Sequence, residues 1–255
     1  MHLPHIGKGT NNRLAYFSKN LIRYITPKVW LHRRLNKVLA ELDKRPDKDY
    51  ILKRVEYYNR LQGVVPLDPA RAKPLALHKF GDAGSTYFFD SYEFTRWFSD
   101  SLKWCYLFGD VTHVPPVPSI VKSRPIEGDI ANSVLLNLDK VRHFTFIKDH
   151  IPFRKKMDKA IFRLSISEKP HRRRFVQMYF GHPMCDTGII SPLPDDPPEW
   201  VKKKITLYDH LVYKFVVSLE GNDVATCLKW VMSTNSIAVM PRPTYETWFM
   251  EGSLI

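Results

Sequence analysis

The chain has few cysteines, and the three present, Cys105, Cys185 and Cys227, are odd in number, far apart and form no C-x-x-C pair. That argues against a disulfide framework and a cysteine zinc site, and it fits a reducing compartment. No stretch approaches the roughly 18 uninterrupted apolar residues of a membrane span. The first residues, with His2, Pro4, His5 and Lys8, lack the apolar core of a signal peptide. Dinucleotide, P-loop, nucleophile-elbow, zinc-helix and EF-hand signatures are missing too, as are internal repeats and low-complexity tracts. Glycine is scarcer than proline, 11 against 19, which predicts fixed loops between short elements.

Apolar residues make up 44% of the 255, enough for a substantial core and too many for a disordered chain. The formal charge of +13 points to an anionic partner without choosing among nucleic acid, membrane and phosphorylated substrate. No nucleic-acid module accompanies the charge, so nucleic acid is not an expected partner. The first 60 residues carry Leu14, Phe17, Leu21, Ile22 and Ile25, then Trp30, Leu31, Leu35, Val38 and Leu39, at helical spacing among Arg and Lys. Pro27 separates two helices. Such helices either pack on a core with a solvated basic face or lie on an anionic membrane surface.

Residues 1–62 read as a basic helical region and residues 63–85 as an irregular connection. A helix is expected at 91–101 with Phe94, Trp97 and Phe98 on one side. Short strands are expected at 104–108, 119–121, 134–136, 144–147 and 160–162, and helices at 171–180 and 207–213. Residues 215–240 then read strand, loop, helix, strand, a βαβ unit. Strands alternating with helices predict an α/β fold. The domain boundaries expected are 63–150 for one Rossmann-like domain and 151–255 for a second, incomplete one.

Three stretches carry candidate chemistry. In 220–229, Gly221 permits close backbone approach, Asn222 and Asp223 suit a helix cap, and Glu220 suits a sugar hydroxyl. Lys229 either reaches a phosphate or faces solvent, and the whole stretch serves equally as an ordinary helix start. Asp110 ends an apolar run at Gly109 before a proline-rich loop, a way to present a carboxylate that a turn would also use. Ser123-Arg124-Pro125 fixes a guanidinium nearby. Arg163 closes a strand, with Arg172, Arg173 and Arg174 a short loop away, either a solvated face or a diphosphate site.

The stretches FGDVTHVPPVPSIVKSRPI, NSVLLNLDKVRHF, LEGNDVATCLKWVMSTNSIAVM and PTYETWFMEG together resemble the bacterial branch of glycosyltransferase family 90. That branch contains lipopolysaccharide and capsule glycosyltransferases and is related to protein O-glucosyltransferases. The resemblance covers roughly residues 85–255. It implies a GT-B architecture, two Rossmann-like domains facing across a cleft, and inverting, metal-independent transfer from a nucleotide sugar with no further cofactor. It implies Asp110 as the base that deprotonates the acceptor hydroxyl. It places the donor at Arg163 and at Glu220, Gly221, Asn222, Asp223 and Lys229, and the reading of the residues adds Arg124 and Arg172. The expected partners are a UDP-sugar and a glycolipid or glycan acceptor, at a cytoplasmic location peripheral to the inner membrane. Two departures stand out: Leu164 follows Arg163 where the family has glycine, and Cys227 stands near a position where related enzymes have arginine. The resemblance also predicts closing helices after residue 255, and a doubly wound domain predicts a central strand at 237–240 with helix cover on both faces. The competing expectation is a chain that keeps the fold without turnover.

Overall fold

The structure is a computed structural model and describes residues 11–81, 84–166 and 168–252. The earlier part of the expected N-terminal helical region, residues 1–10, lies outside the described residues. The chain divides into two compact units. One comprises Arg142–Gly221 and Ala225–Arg242; the other comprises Asn12–Val141, Asn222–Val224 and the stretch from Pro243 onward.

The first unit is built on a four-stranded parallel sheet in the order Ile237–Val239, Tyr213–Val217, Met157–Leu164, Cys185–Ile189. Parallel strands are covered on both faces and so read as near-continuous apolar runs, as Ala160-Ile161-Phe162 and Phe215-Val216-Val217 do. The helix Pro170–Tyr179 starts with proline at its first turn, where a missing N–H costs nothing. On one face of the sheet Phe162, Val217 and Leu219 pack with Val176 of that helix and with Trp200. The helix expected at 207–213 is the single turn Leu207–His210, fixed by a reciprocal Thr206–Asp209 capping box. The helix expected within residues 215–240 is likewise a single turn, Leu228–Val231. The strand at 237–239 is not central. Among the described residues it is an edge strand, with Ile237 and Val239 exposed at 49% and 45%.

The second unit holds a three-stranded parallel sheet, Tyr106–Leu107, Ser119–Val121, Ser133–Leu135. Two antiparallel pairs accompany it, Lys73–Pro74 with Lys103–Trp104 and Ser123–Pro125 with Tyr245–Thr247. The apolar run at 104–108 is therefore split at Cys105 between two sheets. Three helices, Arg13–Ile25, Val29–Ala40 and Lys48–Tyr58, precede it, with Pro27 at the break between the first two. The next helix is Ser85–Thr95 rather than 91–101. Gly84, at φ 69°, makes the turn that starts it, and Phe88, Phe89 and Tyr92 form its buried side against Tyr16 and Phe17. Residues 144–147 form no strand, and Phe146 is 79% exposed.

Asp90, inside the Ser85–Thr95 helix, is buried and accepts from Tyr16 Oη at 2.8 Å and from the Lys140 N–H at 2.8 Å. Burial pushes its pKa up to about 6 despite those hydrogen bonds. A carboxyl that binds its proton more tightly when folded contributes stability at low pH and loses it as pH rises through 6. This contribution is expected to fall by about 2 kcal/mol between pH 4 and pH 8. Thermal melts across that range should show a pH-dependent component that Asp90→Asn removes.

Candidate active site

Two groups of residues gather at the carboxyl ends of parallel strands, where open α/β sheets take their ligands. In the second unit, Asp110 follows the strand Tyr106–Leu107 and Lys122 follows Ser119–Val121. Lys122 is 2% exposed, and its Nζ donates to Asp110 Oδ1 at 2.5 Å and to Asp223 Oδ2 at 2.8 Å. Asn222 Nδ2 donates to the other Asp110 oxygen at 3.0 Å. The Ser123 hydroxyl donates to Asp223 Oδ2 at 2.6 Å and its oxygen accepts from the Val111 N–H at 3.3 Å, which pins the chain directly after Asp110. The Thr247 hydroxyl donates to the Lys122 carbonyl at 2.7 Å.

Burial alone would push the Lys122 ammonium down, but the Asp223 charge and the hydrogen bonds to Asp110 and Asp223 outweigh it, and its pKa rises. The lysine is therefore a fixed cation. Asp110 itself is 42% exposed at the side chain, so one face of a clamped carboxylate meets solvent. Lys122 on Oδ1 and Asn222 on Oδ2 hold the carboxylate in one orientation, which suits it to take a proton from an incoming hydroxyl.

Arg124 is placed differently. Its guanidinium is fully enclosed, donating to Glu246 Oε1 at 2.7 Å, to the Ser133 carbonyl at 2.8 Å and to the Tyr57 carbonyl at 2.8 Å. Glu246 is 1% exposed and also accepts from Tyr57 Oη. With these bonds made inside the unit, Arg124 ties the strand pair Ser123–Pro125 and Tyr245–Thr247 to the end of the Lys48–Tyr58 helix. It does not present itself to a donor phosphate.

In the first unit, Arg172 holds the loop after strand Tyr213–Val217. It donates to the carbonyls of Leu219 and Glu220, each at 2.9 Å, and to that of Ser165 at 2.8 Å. Burial pushes its pKa down. A side chain on Gly221 would meet Arg172 Nη2 at 3.3 Å, a tight approach, so the glycine leaves room for this arginine. Lys229 neither faces solvent nor lies open. It is 6% exposed, with Nζ 5.1 Å from the centroid of the Phe144 ring.

Arg163 lies over the sheet, paired at 2.5 Å with Asp186, which also accepts from Tyr213 Oη. Burial raises the Asp186 pKa, but these two donors more than offset it and hold the group below the usual carboxylate range. Arg163 Nε and Nη1 are buried with no hydrogen-bond partner among the described residues. Gly188, its register neighbour, makes room for it, since a Cβ there would lie 2.4 Å from Nη1.

A cavity of about 540 Å3 opens in the same unit, lined among others by Leu164, Lys204, Thr206, Cys227 and Trp230. It touches the end of strand Met157–Leu164 and the start of the helix after the Gly221 loop. Burial raises the Cys227 pKa, so the thiol is neutral there. A recess of about 590 Å3 beside Met157 and Val212 is larger, but it sits at the amino ends of the strands, away from the loops that read as functional.

Sequence reasoning brought Asp110, Asn222 and Asp223 forward, and the structure joins them. It missed Lys122, the residue that joins them, although Lys122 stands directly before Ser123-Arg124-Pro125. The available signal was a lysine ending a short strand, Ser119-Ile120-Val121, that reads as buried. Glu220, Gly221 and Arg172 lie together in the first unit. Arg163 is set apart from them on the sheet face.

Among the described residues no group of side chains has the makings of a metal site, and no helix is long and apolar enough to cross a membrane. No protein-family model matches the chain. The chain is 36% identical over 245 residues to the O-glucosyltransferase LpsA of Dichelobacter nodosus, an alignment that takes in 95% of this chain and 76% of that protein. A likeness of that extent shows that the chain belongs to the glycosyltransferase family of which LpsA is a member.

Proposed function

We propose that the protein transfers a hexose from a nucleotide sugar, a UDP-sugar, to a hydroxyl of a lipopolysaccharide-core or capsule-type glycan, with inversion and without a metal. The observation that carries the proposal is the Asp110 carboxylate, half open to solvent and clamped by Lys122 and Asn222 at the carboxyl edge of a parallel sheet. The name of the relative, carried over, points to glucose as the sugar. We propose a GT-B fold, with the 63–150 region serving the acceptor and the 151–255 region the donor.

In the step proposed, the acceptor oxygen bonds to the anomeric carbon as its proton passes to Asp110. The bond from that carbon to the diphosphate breaks, and the nucleoside diphosphate departs with the electron pair. A sugar hydroxyl is a weak nucleophile, so the proton must be taken as the bond forms. The backbone N–H groups around Gly221, in a loop shaped by Arg172, support the developing phosphate charge. The cavity lined by Thr206, Cys227 and Trp230 is of a size that suits the nucleoside.

Leu164 and Cys227 both line that cavity where the family resemblance leads one to expect glycine and arginine. They favour one rival, a chain that binds the nucleotide without turnover. Calorimetry with UDP and UDP-glucose, followed by a transfer assay on a deacylated core oligosaccharide, separates the two. Binding with transfer supports the proposal, binding without transfer supports the rival, and no binding by folded protein removes both. Chelation should leave the rate unchanged, and strict dependence on manganese would contradict the mechanism.

Gly221→Val is expected to push the Arg172 guanidinium off the Leu219 and Glu220 carbonyls. Loss of those bonds should weaken UDP binding roughly 10- to 100-fold. An unchanged Kd in the same calorimeter would move the nucleotide away from this loop.

A further inference from the structure

The helix Arg13–Ile25 has two apolar sides, and only one is used. Tyr16, Phe17 and Tyr24 turn inward onto Phe88, Phe89 and Tyr92, the rings of Phe17 and Tyr24 in edge-on contacts. The other side carries Leu14, Leu21, Ile22 and Ile25 at i, i+7, i+8 and i+11, and these remain 78%, 55%, 62% and 71% exposed. After Pro27 the helix Val29–Ala40 buries none of its residues, and Trp30 is 63% exposed. Soluble chains scatter single apolar residues over their surfaces, whereas a continuous row marks an interaction face.

The charge around this row has one sign. From residue 11 to residue 40 the chain contains no aspartate or glutamate. Arg23 and Lys28 are neutralised by Glu93 and Asp100, at 2.6 Å each. Arg13, Lys19, Arg33, Arg34 and Lys37 are exposed, and among the described residues none pairs with a carboxylate. Exposed aliphatic side chains, a tryptophan and unpaired cations on successive helices are the combination that lies in the interface of an anionic bilayer. The apolar row enters the acyl boundary and the cations meet the headgroups. A nucleic acid would use the cations and leave the aliphatic row in water. A second copy of this surface would bring like charges together.

We infer that residues 13–40 form a docking surface for an anionic lipid bilayer, with Leu14, Leu21, Ile22, Ile25 and Trp30 inserted. This assignment is independent of the reaction proposed above. It would hold the chain against a membrane, where a glycan acceptor with a lipid anchor is also held.

Co-sedimentation of the whole chain with vesicles tests it. Vesicles of phosphatidylcholine mixed with phosphatidylglycerol should retain the protein, and phosphatidylcholine alone should not. Added salt should weaken retention, and Leu21→Glu with Ile25→Glu, or Arg33→Gln with Arg34→Gln and Lys37→Gln, should lower the affinity roughly tenfold or more. These positions are exposed, so the melting temperature should stay at the parent value. Should a variant unfold, quenching of the unaltered chain's fluorescence by brominated lipid, lost in Trp30→Phe, reads the same insertion. The inference is overturned by equal retention on both vesicle types, by none on either, or by variants that bind as the parent does. It is equally overturned by self-association that Leu21→Glu dissolves, which would assign the row to a second copy.

Discussion

Asp110→Asn is expected to lower kcat roughly 100- to 10,000-fold while leaving the Kd for UDP within a factor of about two. The amide keeps the shape of the side chain and can still accept a bond from Lys122, but it takes up no proton at neutral pH. The two halves of the outcome carry different information. Lost turnover with intact nucleotide binding assigns a base, whereas loss of both would make Asp110 a structural tie for the loop that holds Asn222. Wild-type rates in the variant would end its candidacy.

Lys122→Met is the companion experiment. Removing the cation that favours the ionised carboxylate should move the acid limb of the pH–rate profile to higher pH. A merely structural lysine would lower the rate or the melting temperature without moving that limb.

Arg124→Met should have the largest effect on stability. It strips the partner from Glu246, which is 1% exposed, and breaking a buried ion pair on one side costs about 3–5 kcal/mol. For a chain of this size that corresponds to a fall in Tm of roughly 10 °C. The double variant Arg124→Met with Glu246→Leu should recover much of the loss, since it leaves no isolated charge inside. Thermal melts of the two variants check this. A single variant that melts like the parent but loses UDP affinity would return Arg124 to the donor site.

The parts of the fold most legible in the sequence were those whose signal is local. Ser119-Ile120-Val121 and the apolar run around Phe215 read as strands because β-branched and aromatic residues are packed between polar or turn-forming neighbours. Pro27 broke a helix where a proline must. Phe144-Thr145-Phe146-Ile147 misled for the same reason, since it has the alternation of a strand. In the structure Ile147 donates its N–H to the Ser233 hydroxyl at 2.9 Å instead of to a neighbouring strand. The helix at Ser85–Thr95 starts six residues before the expected 91, directly after Gly84, a glycine whose positive φ no side-chain pattern announces.

The candidate site divides along the same line. Gly109-Asp110 and the Gly221 loop are visible as punctuation after apolar runs. The pairings that give them meaning are not, because Asp223 meets Ser123 over 100 positions of chain and Glu246 meets Arg124 over 122. Side-chain type alone cannot distinguish an arginine that awaits a phosphate from one already enclosed by a glutamate.

Those distances along the chain also govern how the molecule is made. The strand Met157–Leu164 needs Tyr213–Val217 beside it, and Ser123–Pro125 needs Tyr245–Thr247. At about 5–20 residues per second, a ribosome would leave the Arg124 strand without its partner for several seconds, on the order of ten, before Glu246 emerges. Neither sheet can close early, and non-local parallel pairing is intrinsically slow. Nascent chains should therefore present apolar strand edges to holding chaperones through most of their synthesis. Slowing translation would lengthen that interval, so soluble yield should fall with slow codons and recover with added chaperone.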